Sequence, residues 1–231
     1  MINNYAEHPW LKDYPILPEH KYLIIGTHPP MPYSGCMPFY YGNMNEFWRL
    51  LEEAYGEKLF FNSNGTPDLD KILAWLASKK LAITDMVNYT LKDYKFNTDQ
   101  NIIFENYSYQ LNQYLKKWLE EGNIETIFFT SFSQGKSAYG LFKKWFKLNF
   151  DSRLNDGKEI IDNGNDEFIQ VNGKRIRIVM LYSPSPAARR GIPRSQPYIK
   201  WLKQNKKLKN SIDLFRIYWY RKFIMKKIEN N

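Results

Sequence analysis

Lys21-Tyr22-Leu23-Ile24-Ile25-Gly26, running on into Thr27-His28-Pro29-Pro30, is the stretch that decides the fold. A short apolar, β-branched run closed by glycine reads as a strand buried on both faces, the kind from which parallel sheets are built. The next segment, through Pro29, Pro30, Pro32, Gly35 and Pro38, holds too many breakers for regular structure and makes a rigid wall rather than a lid. Similar runs recur at Leu81–Met86, Ile124–Thr130 and Ile176–Leu181. Helical patterns separate them: one from Asn43 or Asn45 that turns Phe47, Trp48, Leu50, Leu51 and Ala54 inward, and one from an Asp68 cap to about Lys79. A long amphipathic helix is predicted over 100–121, and another near 133–149 beginning at Ser131 or Ser133. Phe168–Val171 and Lys174–Tyr182, joined at Asn172-Gly173, read as a hairpin. Alternation of strand and helix predicts a three-layer α/β/α sandwich around a central, mostly four-stranded parallel sheet. The last strand leads into a second proline loop, Ser183-Pro184-Ser185-Pro186-Ala187. Both loops leave the carboxyl edge of one sheet, where open α/β sheets bind ligands.

At 231 residues, the chain suits one well-buried domain, expected over 1–205, with a basic helical extension over 206–231. One cysteine, Cys36, excludes an internal disulfide and fits a reducing cytoplasm. Three histidines, His8, His20 and His28, have no zinc-site spacing, so no metal and no cofactor are expected. The first twenty residues lack a basic start and an apolar core, which argues against a secretory signal, and no apolar stretch is long enough to span a bilayer. Charge is unevenly placed. Residues 174–231 hold 16 basic against 2 acidic side chains, whereas residues 1–173 hold 17 against 22. A basic segment beside a near-neutral body is the footprint of a phosphate-backbone binder, although a solvated surface or an anionic-membrane patch would look the same. Aromatic residues make up 17% of the chain; most belong to a core, and some suit stacking on bases.

Three ordered segments resemble the motifs of the uracil-DNA glycosylase superfamily, nearest to its mismatch-specific and hypoxanthine-type branches. Gly26-Thr27-His28-Pro29-Pro30 stands in the place of the first motif, Gly-x-x-Pro after the first strand. Phe39-Tyr40-Tyr41-Gly42-Asn43-Met44-Asn45-Glu46-Phe47-Trp48 resembles the aromatic-Gly-x-x-Asn-x-Phe-Trp segment. Ser183-Pro184-Ser185-Pro186-Ala187, trailed by Arg190-Gly191, resembles the second motif. The resemblance covers roughly residues 20–205. It implies a monomeric enzyme that flips a damaged or mismatched base out of DNA and hydrolyses its N-glycosidic bond without a cofactor.

The resemblance also implies roles residue by residue. Tyr40, with Tyr41 beside it, falls where the family places the ring that stacks the base; a packed loop aromatic is the plainer reading. Asn45 matches an Asn implicated in activity and would also serve as a helix cap. Gly26, Pro29 and Ser183 would line the base pocket. His28 stands where most branches place Asp or Asn to orient the water. As histidine it would act as general base, accept a hydrogen bond from water, stabilise the leaving base as a cation, or simply be a satisfied loop residue. Thr27 is the alternative water holder. Ser183 replaces a family histidine, which argues against strict uracil specificity. Ser185, Pro186, Arg189, Arg190 and Arg194 would meet the DNA, Arg189 either filling the vacated stack or gripping a phosphate. Asp85, closing the second strand, is a further pocket candidate. Two other functions stay open: a non-catalytic nucleic-acid binder of the same fold, and a hydrolase of free nucleosides.

Overall fold

The computed structural model describes residues 5–30, 37–42, 46–92, 95, 98–133, 135–163, 167–205, 211–225 and 228, of which 159, 162, 163, 211 and 225 are described by backbone only. In chain order the elements are β1 (Tyr5–Glu7), β2 (Tyr22–Gly26), α1 (Phe47–Tyr55), α2 (Leu69–Ser78), β3 (Leu81–Asp85), β4 (Tyr89–Leu91) and α3 (Tyr107–Gln110). They continue with α4 (Leu115–Glu121), β5 (Thr126–Phe129), α5 (Ala138–Phe150), α6 (Gly157–Asn163), β6 (Glu167–Val171), β7 (Lys174–Met180), α7 (Gln196–Gln204) and α8 (Ser211–Tyr220).

The central sheet has five strands in the order β3-β2-β5-β7-β6. Four of them run parallel, and β6 pairs antiparallel with β7 through the predicted hairpin. Asn172 and Gly173 both have positive φ, at 49° and 78°, the pair of left-handed residues a tight hairpin turn requires. Every residue of β2, β3 and β5 is buried. Such strands persist only where helices cover both faces. The Asp68 side chain caps α2 by accepting the Lys71 N–H at 3.2 Å. A small separate sheet pairs β1 with β4, which the lead-in prolines had concealed.

The long helix predicted over 100–121 is absent, because two amide side chains outcompete the helical ladder. A 3-10 turn spans Asp99–Asn101, α3 is one turn long, and Leu111 is extended. Asn112 donates from Nδ2 to Thr84 Oγ1 at 3.0 Å and to the Asp85 carbonyl at 2.9 Å. Its Oδ1 accepts the backbone N–H groups of Tyr114 and Leu115 and so starts α4. Buried Gln110 serves the preceding loop in the same way, accepting from Glu105 N and donating to the carbonyls of Tyr89 and Ile103. The helix after β5 begins later than predicted, at Ala138, capped by Ser137. α1 begins at Phe47, and Asn43 and Asn45 lie outside the described residues.

The C-terminal helix is built into the core. Phe215, Trp219 and Tyr220 of α8 are buried. Trp219 Nε1 donates to the Met180 carbonyl, and the Tyr220 hydroxyl donates to that of Tyr182, each at 3.0 Å. These bonds satisfy carbonyls where β7 leaves the sheet, so α8 fixes the start of the second proline loop. Among the described residues no helix is long and apolar enough to cross a membrane.

Candidate active site

From β2 the chain crosses to β3 on one side, and β5 then pairs with β2 on the other. The topological switch point therefore lies at the carboxyl ends of β2 and β5, where doubly wound sheets open a crevice. Gly26 and Thr27 leave β2 there, Asp85 closes β3 beside them, and Thr130 succeeds β5. β7 lies two strand spacings from β2, about 10 Å, so Ser183 and its loop rise on the far side of β5.

Gly26 and Asp85 are register partners. A Cβ at Gly26 would lie 2.2 Å from Asp85 Oδ1 and 2.8 Å from the Tyr41 hydroxyl. Glycine is thus the residue that lets a carboxyl and a phenol converge over the end of β2. Tyr41 has φ 58°, a left-handed conformation uncommon for a bulky side chain and characteristic of functional loops. Its ring stacks on Phe47 at 4.2 Å, and its hydroxyl is hydrogen bonded to Thr130 Oγ1 at 3.0 Å. Carboxyl, phenol and threonine hydroxyl form a polar row across the ends of β3, β2 and β5.

The other oxygen of Asp85 is held from the N-terminal segment. His8 Nε2 lies 3.1 Å from Asp85 Oδ2, and His8 Nδ1 accepts the Trp10 backbone N–H at 3.1 Å. An acceptor at Nδ1 puts the proton of the neutral ring on Nε2, so His8 donates to the carboxyl. Burial pushes His8 and His28 each down to about 3, so both rings are neutral at physiological pH. Burial also pushes Asp85 up to about 7. Thr27 Oγ1 donates to Asp99 Oδ2 at 2.8 Å, and burial raises Asp99 to about 6, against the opposing effect of that bond. Two carboxyl groups poised near neutrality therefore flank the first motif, an arrangement suited to acid-base work. Among the described residues no group of three or more His, Cys, Asp or Glu side chains is placed to hold a metal ion.

Of the residues singled out from the sequence, Gly26, Thr27 and His28 are buried at the edge with Asp85. His28 Nδ1 donates to the Pro29 carbonyl at 2.7 Å, which leaves Nε2 as the ring's acceptor. Tyr40 is 1% exposed, packed on His8 at 5.6 Å and edge-on to Phe39, so its ring is enclosed in the protein, whereas Tyr41 is half-buried. Trp48 locks this loop by donating from Nε1 to the Tyr40 carbonyl at 3.0 Å. Asn45 lies outside the described residues.

In the second loop Ser183 Oγ accepts the Ser185 N–H, and Ser185 Oγ caps a 3-10 turn, Pro186–Arg190, that starts on Pro186. Arg190 and Arg194 are exposed. Arg189 is turned inward: its Nη2 lies 2.8 Å from Glu46 Oε1 and 2.9 Å from Asp213 Oδ2. Below it, fully buried Arg216 reaches the other oxygens of the same carboxylates at 2.7 and 3.2 Å and donates from Nη2 to the Ser183 carbonyl at 3.1 Å. This box joins the start of α1, the second loop and α8. His8, Asp99, Glu46, Thr130 and Arg216 carry no spacing signal that picks them out of the sequence.

Comparison with protein-family models and with curated proteins finds no match. Among solved structures, the chain is similar to the solution NMR structure of a candidate uracil DNA glycosylase from Methanosarcina acetivorans. The identity is 18% and the TM-score 0.45, over 94% of this chain and 96% of that one.

Proposed function

We propose that this protein is a DNA glycosylase that hydrolyses the N-glycosidic bond of a flipped deaminated base, uracil or hypoxanthine, in base excision repair. The observation that carries the reading is the meeting of Asp85, Tyr41 and Gly26 at the switch point, on the loop whose sequence resembles the family's first motif. Cleavage of an N-glycosidic bond leaves negative charge on the departing base and positive charge on the sugar. A row of hydroxyl donors beside a carboxyl can answer both charges. The exposed Arg190 and Arg194 on the second loop give the DNA backbone a positive rim.

The test is a panel of oligonucleotides containing uracil, hypoxanthine or xanthine, scored for alkali-labile abasic product. Excision of one of these bases supports the reading, and excision of none overturns it. One observation favours a non-catalytic nucleic-acid binder of the same fold: His28 is buried and neutral, so it supplies neither the Asp or Asn side chain that the resemblance implies at that motif position nor a cation. Salt-sensitive DNA binding without abasic product would establish that second reading.

A further inference from the structure

We infer that Asp85, on the strand next to the first motif, is the carboxylate that holds and deprotonates the attacking water, and that His8 is its positioning residue. The inference rests on the glycosylase reading and gives its central step to a residue outside the motif.

Three facts lead to Asp85. First, His28 at the motif position is buried, and burial pushes it down to about 3, so its ring is a far weaker base than a carboxylate poised near neutrality. Second, the two oxygens of Asp85 are differentiated: Oδ2 faces the His8 N–H, while Oδ1 faces the space over Gly26 beside the Tyr41 hydroxyl. One oxygen is anchored and the other lies over the end of β2, the division of labour expected of a positioned base. Third, the Asp85 side chain keeps 8% of its surface exposed whereas that of His8 keeps none, so of the pair only Asp85 is reached by solvent.

The chemistry balances with the side chains of the site and one water. The water oxygen forms a bond to C1′ as the bond from C1′ to the base nitrogen breaks, its electron pair leaving on the base. The proton of the water passes to Asp85 Oδ1 and then to solvent, from which the base anion takes its own. The ionised carboxylate is the active form. His8 favours that form by donating to it, and burial disfavours it. The other titratable groups around it are His28 on the first loop, Asp99 under Thr27, and the Tyr40 and Tyr41 hydroxyls. Like charge from Asp85 raises Asp99, and the two histidine rings carry no charge at working pH.

The test uses the full chain in single-turnover excision between pH 5 and 9, on whichever lesion the wild type excises. The wild-type rate is expected to rise with pH through a midpoint near 7 and then level. Asp85→Asn is expected to be about 100-fold or more slower, with the pH limb gone and DNA binding retained. His28→Ala is expected to lose less and to keep the limb. His8→Ala is expected to move the midpoint upward, and His8→Gln, which keeps an N–H donor, to move it back. The wild-type profile and the His8 pair report on Asp85 without altering it, should Asp85→Asn fail to fold. Asp85→Asn within threefold of wild type, a limb that survives in it, or a change of base preference alone overturns the assignment while leaving the glycosylase reading intact. A wild type that excises nothing overturns both.

Discussion

Asp85 Oδ1 occupies the place that a side chain on Gly26 would need, 2.2 Å from where its Cβ would sit. Neither residue can move easily, because the two are paired in adjacent parallel strands and Asp85 is also held by His8. Gly26→Ala is therefore expected to push the carboxyl off His8. A loss of stability of about 1–3 kcal/mol should accompany the loss of activity. Urea unfolding of the variant measures the first and lesion excision the second; an unchanged midpoint would show that the crevice has slack.

The two arginines of the ionic box are expected to behave differently. Arg216 is fully buried, and its removal leaves a cavity and an unserved Ser183 carbonyl while Glu46 and Asp213 keep only their partly exposed partners, so Arg216→Ala should cost about 2–4 kcal/mol. Arg189 touches the same carboxylates with 41% of its side chain exposed, and Arg189→Ala should cost about 1 kcal/mol or less. Denaturant titrations of both variants give the comparison, and equal losses would contradict the burial argument.

Protonation of the site links stability to pH in opposing directions. His8 and His28 are pushed down from 6.5 to about 3, so the unfolded chain takes up their protons first. Their contribution to stability falls as pH drops below 6.5 toward 3. Asp85 is pushed up from 3.8 to about 7, so the folded state takes up its proton first. Its contribution is complete below 3.8 and disappears as pH rises through 7. Asp85→Asn removes only the second effect. Relative to wild type, the variant should therefore gain stability between pH 5 and pH 8, as read from urea midpoints at the two values. A difference that does not change with pH would mean that Asp85 is not buried as an acid.

DNA affinity is expected to separate the arginines of the second loop by their partners. Arg190 and Arg194 are exposed, and substituting either by alanine, which removes one phosphate partner, should flatten the slope of log K against log salt by about 0.9. Arg189 is already neutralised by Glu46 and Asp213, so Arg189→Ala should leave the slope unchanged. Fluorescence anisotropy at several salt concentrations decides the matter, and a flattened slope for Arg189→Ala would mean that the box opens on DNA.

The four parallel strands and the hairpin were legible because each is a local pattern: an apolar run, its stop, and the Asn172-Gly173 turn that needs two left-handed residues. The Asp68 cap was legible for the same reason, since it satisfies an N–H three residues away. The segment 100–121 misled because its periodicity is real while Gln110 and Asn112 spend their amides on backbone and hydroxyl groups far off in sequence. A polar side chain with a distant partner looks, in sequence, like any solvated one.

By itself, then, the chain determined a parallel sheet with two proline loops at its carboxyl edge, one of them bearing Gly26, Thr27 and His28. Tertiary structure alone decided what faces that edge. It brought His8 to Asp85 across 77 residues, Thr27 to Asp99 across 72, and Arg216 to Glu46 across 170. It also tied two arginines of the basic segment, one buried and one half-exposed, to the same pair of carboxylates, which no count of charges reveals. The physical reason is common to all of these. Apolar periodicity records which face of an element is dry, whereas the chemistry of a site depends on which polar groups are left facing one another once every dry face has been covered.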